Sequence, residues 1–299
     1  MAVLEEIQSA IGTVAEAVGQ SVVGIGRRQR GTGFVVGDGR VVTNAHNVRR
    51  DSVTVTFADG RQAMGEVAGL DVDGDLAVIR VDTAGATPAT WADGSGAGLG
   101  SAVFGVGATP GGGTRVTFGT VSAVARAFRG PGGRKIAGSI EHTAPLASGS
   151  SGGPLVDAEG HVLGINTNRI GEGFYLALPV DSALRDRVDA LGRGETVKRP
   201  RLGIAVAPSY VARRLRRSVG LPERDGLLVR GVEENSPAAR AGIVEGDLIV
   251  AAAGREVSDP DALLDAIATA SSPFEVRIVR GTEERTVSVG GDASATGEA

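Results

Sequence analysis

Residues 1–19 form an amphipathic stretch, with Glu5, Glu6 and Glu16 among its polar positions, and predict a helix from about Ala2 to Val18. From Ser21-Val22-Val23-Gly24-Ile25 the texture changes to short apolar runs broken by glycine-bearing turns, and it holds to about Pro179. That pattern predicts many short strands. Helical spacing returns over Val180–Leu191, where Leu184, Val188 and Leu191 share a face that would pack back on the strands and Asp181 or Ser182 can cap the start. Forty-seven glycines and few helix-periodic stretches in the first two thirds fit a mainly β fold of barrel or sandwich type.

The segment from Gly192 to Pro200 is polar, carries glycine and ends in proline, so it predicts a linker. Beyond it, about Arg201 to Gly290, short strands such as Gly226–Arg230 and Phe274–Val279 alternate with two helical patterns. In the second, Asp259–Ala270, Leu263 and Ile267 share a face that could line a groove or the core. The domain division is therefore 1–196, with a helix at 2–18 and a linker from about 192, then 197–291, with 292–299 read as a disordered tail. A protein of 299 residues that is 41% hydrophobic can bury a substantial core in more than one domain.

Composition narrows the function classes. A formal net charge of −4 gives no basic stripe that would favour nucleic acid, no Cys- or His-rich spacing suggests a metal, and no cofactor is expected. The lack of cysteine removes disulfides and thiol chemistry without deciding the compartment. The N-terminus has neither a basic leader nor a long apolar core, and no run reaches the roughly 20 apolar residues that span a bilayer. The expectation is a cytoplasmic protein without a membrane span, or an exported one if a leader has been removed.

The chemistry concentrates in Gly149-Ser150-Ser151-Gly152-Gly153-Pro154-Leu155. Glycines on both sides of Ser151 let a hydroxyl stand exposed while nearby N–H groups converge, as an oxyanion hole requires. An isolated Gly-Ser cluster is ordinarily a surface turn, so a base and an orienting acid must be found elsewhere. Of three histidines, His46 stands at the end of the apolar run Arg40–Thr43, His161 follows a Glu-Gly turn, and His142 is harder to dismiss. Asp75 opens the apolar run Leu76–Val81, where a carboxylate is desolvated unless paired, whereas Asp71 and Asp73 look like solvated turn acids. The order His46, Asp75, Ser151 is that of chymotrypsin-type double barrels.

These segments, with Gly31-Thr32-Gly33-Phe34, Gly119-Thr120-Val121-Ser122-Ala123 and Gly164-Ile165-Asn166-Thr167, resemble the HtrA (Deg) family of serine proteases, a trypsin-like domain followed by one PDZ domain. Asn235–Ile243 and Gly246-Asp247-Leu248-Ile249 resemble the PDZ helix and its following strand, and Leu202-Gly203-Ile204 the loop that holds a peptide carboxylate. The resemblance implies a chymotrypsin-like double β-barrel followed by a smaller α+β PDZ domain. It implies His46 as general base, Asp75 as its orienting acid, Ser151 as nucleophile and the N–H groups of Gly149 and Ser151 as oxyanion hole. Leu146, Ile170 and Phe174 would line an apolar primary pocket, with Arg169 close by. ATP-independent cleavage of unfolded or misfolded polypeptides after small to medium apolar residues would follow, with peptide C-termini bound at the PDZ domain. The alternative is a non-cleaving PDZ scaffold or holding chaperone. The family trimerises through N-terminal aromatics, whereas the first aromatic here is Phe34. Arg126 takes, by the same resemblance, a sensing role. Ser150 and His142-Thr143 stand where the family carries Asn and Asp, and Asn47 where an apolar residue follows the base.

Overall fold

In the computed structural model, residues 2–37, 39–93, 97–130, 135–195 and 201–290 are described. The protein divides into two compact units, Met1–Val197 and Lys198–Ala299. Part of the predicted linker, 196–200, and the predicted tail, 292–299, lie outside the described residues.

In the first unit the amphipathic stretch forms α1 (Ala2–Val18), which buries Val14 and Val18 and leaves Val3 and Leu4 exposed. Valine-rich segments follow as β1 (Val22–Ile25), β2 (Gly31–Gly37), β3 (Arg40–Thr43), β4 (Ser52–Thr56), β5 (Gln62–Asp71) and β6 (Leu76–Arg80). They close into a barrel in the order β1-β2-β3-β6-β5-β4, filled by Val23, Ile25, Val35, Val41, Val55 and Ile79. A second closed barrel, β10-β11-β12-β9-β8-β7, is built from β7 (Ala102–Ala108), β8 (Thr114–Arg129), β9 (Lys135–His142), β10 (Pro154–Val156), β11 (Val162–Arg169) and β12 (Tyr175–Pro179). Closure leaves neither sheet with an open edge.

One apolar cluster joins the two barrels. Phe34, Val42 and Leu76 of the first meet Phe104, Val106 and Ile165 of the second, and both helices of the unit add to it. In α2 (Ser182–Gly192) the contributors are Leu184, Val188 and Leu191, all buried, and the Asp181 carboxylate accepts the Leu184 N–H at 2.7 Å as the cap. Truncating Leu191 to alanine should cost about 2–5 kcal/mol by opening a cavity at this joint.

The second unit is a sheet of order β13-β14-β15-β17-β18, from β13 (Ile204–Ala207), β14 (Leu227–Val232), β15 (Leu248–Ala252), β17 (Phe274–Arg280) and β18 (Glu283–Val289), with the short β16 (Arg255–Glu256) paired to β15. Three helices accompany it, where the sequence pattern predicts two: α3 (Ser209–Ser218), α4 (Pro237–Arg240) and α5 (Pro260–Ala268). The periodicity of α3 is masked because one of its buried anchors is an arginine. Arg216 donates to the carbonyls of Pro222 and Gly281 at 3.0 Å each. Ser236 caps α4 and Asp259 caps α5, each through its side-chain oxygen. Leu263 and Ile267 of α5 both lie in the core, which decides between groove and core for that face.

Candidate active site

Pairing of β3 with β6, Thr43 opposite Ala77, brings the segment after β3 beside the turn that precedes β6. A single 3-10 turn, Ala45–Asn47, then lifts His46 to the surface with its side chain 37% exposed, while Asp75 is buried at 1%. Asp75 adopts φ +51°, a left-handed conformation that aspartate tolerates better than most residues, and the Asn44 amide holds its carbonyl at 3.0 Å. Both carboxylate oxygens lie 2.9 Å from His46 Nδ1. Oδ1 also accepts the His46 backbone N–H at 3.2 Å, and Oδ2 accepts the Thr167 hydroxyl at 2.5 Å. An ionised carboxylate only accepts, so Nδ1 carries the proton and the Nε2 lone pair faces outward as a base. Asp71, expected to be a solvated turn acid, is instead buried: its carboxylate accepts the Gly74 N–H at 2.9 Å and so fixes the turn that leads to Asp75.

Ser151 sits in the turn between β9 and β10. Gly149 and Gly152 have φ of +86° and +89°, and a Cβ added to them would lie 2.9 Å from the Gln29 carbonyl and 2.1 Å from the Thr32 carbonyl. Only glycine lets this turn press so closely on the first barrel. The Thr32 hydroxyl donates to the Gly149 carbonyl at 2.7 Å, and the Ser151 carbonyl accepts from the Thr32 N–H at 2.8 Å and the Asn47 amide at 2.9 Å. With those carbonyls tied down, the N–H groups of Gly149 and Ser151 have no acceptor among the described residues. The Ser151 hydroxyl donates to the Thr167 carbonyl at 3.0 Å and, among the described residues, makes no hydrogen bond to His46. One rotation about its Cα–Cβ bond reorients it, and such bonds commonly tighten only when substrate arrives.

The structure thus brings His46 and Asp75 into direct contact and joins Ser151 to them through Thr167 and Asn47. Four supporting residues, Thr32, Asn44, Asn47 and Thr167, go unassigned by sequence reasoning. Asn47 in particular reads as an out-of-place polar neighbour. It is buried and ties Thr43 Oγ1, at 3.0 Å, and the Ser151 carbonyl together, so a side chain from the histidine's turn clamps the serine's turn.

The other histidines stay apart. His161 bonds Asp157 at 3.1 Å within its own hairpin. His142 is fully buried, bonds Asn166 Oδ1 through Nε2 at 3.0 Å and stacks on Tyr175. Burial lowers its pKa from 6.5 to about 4, opposed by the Asn166 hydrogen bond.

Of the predicted pocket residues, Ile170 and Phe174 are joined across a tight turn by the Ile170 N–H to Phe174 carbonyl bond at 3.0 Å. The Leu146 side chain lies against Gly105 of β7. Arg169 folds back on its own loop, donating to the Gly171 carbonyl at 2.9 Å, and Arg126 pairs with Glu141 at 3.1 Å. In the second unit Leu202 is a core residue and Ile204 opens the edge strand β13, while the carbonyls of Leu202 and Gly203 accept from Ala238 and Glu233 at 3.0 and 2.8 Å.

Comparison with known proteins matches residues 31–165 to the trypsin-like peptidase domain family and 228–280 to the PDZ domain family. The solved structure of the HtrA-type protease AlgW with a decapeptide superposes with a TM-score of 0.71 at 26% identity, covering 95% of this protein and 97% of that one. The protein carries a trypsin-like peptidase domain followed by a PDZ domain, and it resembles the HtrA-type proteases. A probable periplasmic serine endoprotease, DegP-like, of Halomonas elongata is 34% identical to this protein over 273 residues, covering 88% of it and 56% of the relative. A protein of the same description from Rhizobium meliloti is 35% identical, covering 88% and 53%. The 299 residues span about half the length of these curated relatives. Their periplasmic descriptions correct the cytoplasmic expectation and point to export. Among the described residues no helix is long and apolar enough to cross a membrane.

Proposed function

We propose that this protein is an ATP-independent serine endopeptidase of HtrA type, with its peptidase portion in residues 1–196 and its PDZ portion in 197–291. The observation that carries the reading is the buried Asp75 carboxylate, held by three donors and placed on His46 Nδ1, beside a glycine turn with two unengaged N–H groups. Ser151 Oγ attacks the substrate carbonyl while His46 Nε2 takes its proton, and Asp75 keeps the imidazole in the required tautomer and stabilises its charged form. The N–H groups of Gly149 and Ser151 receive the negative charge that develops on the carbonyl oxygen. His46 then gives the proton to the departing amine, and water hydrolyses the acyl-enzyme by the same steps.

Unfolded or misfolded polypeptide is the proposed substrate, cut after small to medium apolar residues. Leu146, Ile170 and Phe174 are all apolar, Arg169 is turned back on its loop, and apolar side chains become available mainly in unfolded polypeptides. Peptide C-termini are proposed to add a strand at β13, which is an open edge of its sheet next to the Leu202-Gly203-Ile204 loop. As in the relatives described as periplasmic, this work would be done outside the cytoplasm.

The test is cleavage of unfolded casein by the protein and by Ser151→Ala, with and without a short peptide ending in an apolar residue. Loss of cleavage in the variant supports the mechanism, and stimulation by peptide supports regulation through the PDZ domain. Cleavage that persists in Ser151→Ala would remove the serine from the mechanism. No cleavage by the unaltered protein under any condition would leave a peptide-holding scaffold.

A further inference from the structure

An arginine-lined cleft of about 570 Å³ opens in the first barrel beside the histidine turn. Arg27, Arg28 and Arg30 reach it from the β1–β2 turn, Arg49 and Arg50 from the segment that follows His46, and Asn47 connects it to the site. All five arginines are exposed, and none forms an ion pair among the described residues. No acid is among the residues that line the cleft, although the protein has a net charge of −4 and Asp51 adjoins Arg50 in sequence.

The cleft is shaped by a defined backbone. The Gly26 N–H bonds the Thr54 carbonyl at 2.8 Å, and the turn closes with the Arg30 N–H on the Ile25 carbonyl at 2.8 Å. The same turn abuts the nucleophile loop, since the Gln29 carbonyl occupies the space a Cβ at Gly149 would need. The arginine-bearing backbone is therefore fixed relative to Ser151.

Position gives the cleft its direction. During acylation the charge on the substrate oxygen faces the Gly149 and Ser151 N–H groups, while His46 hands its proton to the departing amine. The part of the substrate beyond the cut bond leaves on the histidine side. The cleft is lined only by residues of the first barrel, around His46, whereas Leu146, Ile170 and Phe174 belong to the second.

We propose that this cleft binds the leaving-group side of a polypeptide substrate and selects acidic side chains in the first few residues after the cut bond. The proposal rests on the endopeptidase reading and adds a specificity that the apolar pocket does not supply. Unpaired guanidinium groups in a concave, acid-free surface attract carboxylates, and bidentate Arg–carboxylate contacts fix their geometry.

The experiment uses three fluorogenic peptides with one shared acyl half ending in valine, whose second and third residues after the cut bond are Asp-Glu, Ala-Ala or Lys-Lys. The expected kcat/KM order is acidic, neutral, basic, with about tenfold between the extremes if two exposed pairs form at about threefold each. The ratio should shrink at about 0.5 M salt, where the screening length is only about 4 Å. In a variant that combines Arg27→Glu, Arg28→Glu, Arg49→Glu and Arg50→Glu, which leaves one arginine against four glutamates, the order should reverse, read as the ratio between peptides whatever the absolute rate. Equal rates on all three peptides, or an acidic preference that survives charge reversal, would overturn the proposal. If no peptide is cut, the endopeptidase reading has failed, and anisotropy with labelled Asp-Glu and Lys-Lys peptides decides the cleft separately. Preferential acidic binding lost on charge reversal supports it, and equal binding sinks it. Tighter binding of a short DNA through the same arginines would make this a nucleic-acid site and also overturn it.

Discussion

His46 lies in the turn just beyond β3 and His142 at the end of β9, and each has one polar side-chain partner among the described residues, yet the two regions give imidazole opposite characters. At His46 the partner is a carboxylate and the ring is 37% exposed, so a protonated ring is matched by a charge and reached by solvent. At His142 the partner is the Asn166 amide, whose own nitrogen donates to the Pro154 carbonyl at 3.1 Å. The amide oxygen must therefore accept from His142 Nε2–H, which leaves the buried Nδ1 with no partner among the described residues. Among the described residues no carboxylate pairs with His142, and burial brings its pKa down to about 4. What separates a base from a structural histidine is the charge of the partner and the access of water, not the strand that delivers it.

Asp75→Asn breaks the comparison most severely, because it gives His46 the kind of partner His142 has. An amide can present its N–H to Nδ1, forcing the proton to Nε2, where it blocks acceptance from Ser151. The expected loss in kcat is about 10⁴-fold, the magnitude seen for this change in serine protease triads. Peptide cleavage with the folded state checked by circular dichroism reads it out. Activity within about tenfold of the unaltered protein would show that His46 does not depend on the carboxylate for its tautomer.

The reverse experiment concerns acid stability. The folded pKa of His142, about 4, lies below the unfolded value of 6.5, so between these pH values the unfolded state binds more protons. The contribution of neutral His142 is complete above pH 6.5 and is lost as pH falls toward 4, by about 3 kcal/mol in total. Urea unfolding followed by the single tryptophan, Trp91, at a series of pH values should show this slope, and His142→Gln should flatten it. Asn166→Asp supplies the missing charge and should bring the His142 titration seen by NMR back toward the ordinary range near 6.5. An unchanged slope in His142→Gln would assign the acid sensitivity to other groups. The Ser151 turn feels the same region, since the Asn166 backbone accepts the Gly152 N–H at 2.7 Å and donates to the Gly153 carbonyl at 2.9 Å.

The residues that meet at the site were legible because their signals are rare: three histidines in all, a serine between glycines, and an aspartate opening a buried strand. The hydrogen bonds that orient them were not, since threonine and asparagine are common and Thr167 lies 92 positions from the carboxylate it touches. The strand-rich texture and α2 were readable from periodicity, and the two barrels were implied by the family resemblance, but α3 was hidden by a buried arginine. The arginine cleft escaped notice because its two contributors, Arg27–Arg30 and Arg49-Arg50, are separate short runs in an acidic protein. Composition does not decide the compartment, and it is the relatives that point to export.

The finest distinction between the two histidine regions rests on Thr167, whose hydroxyl donates to Asp75 Oδ2 while its carbonyl accepts from Ser151. Thr167→Val keeps the shape and the carbonyl but leaves the buried carboxylate one donor short, so its aim at His46 Nδ1 loosens. A hydrogen bond to a charged group contributes about 1.5–3 kcal/mol, and two donors from His46 remain, so a fall in kcat of about tenfold with KM little changed is expected. Thr167→Ser restores the hydroxyl and should recover most of the rate. If the valine and serine variants are equally slow, the methyl group is what matters and Thr167 acts by packing. If both retain full activity, His46 alone orients Asp75, and the carboxylate at this histidine is more self-sufficient than the amide at the other.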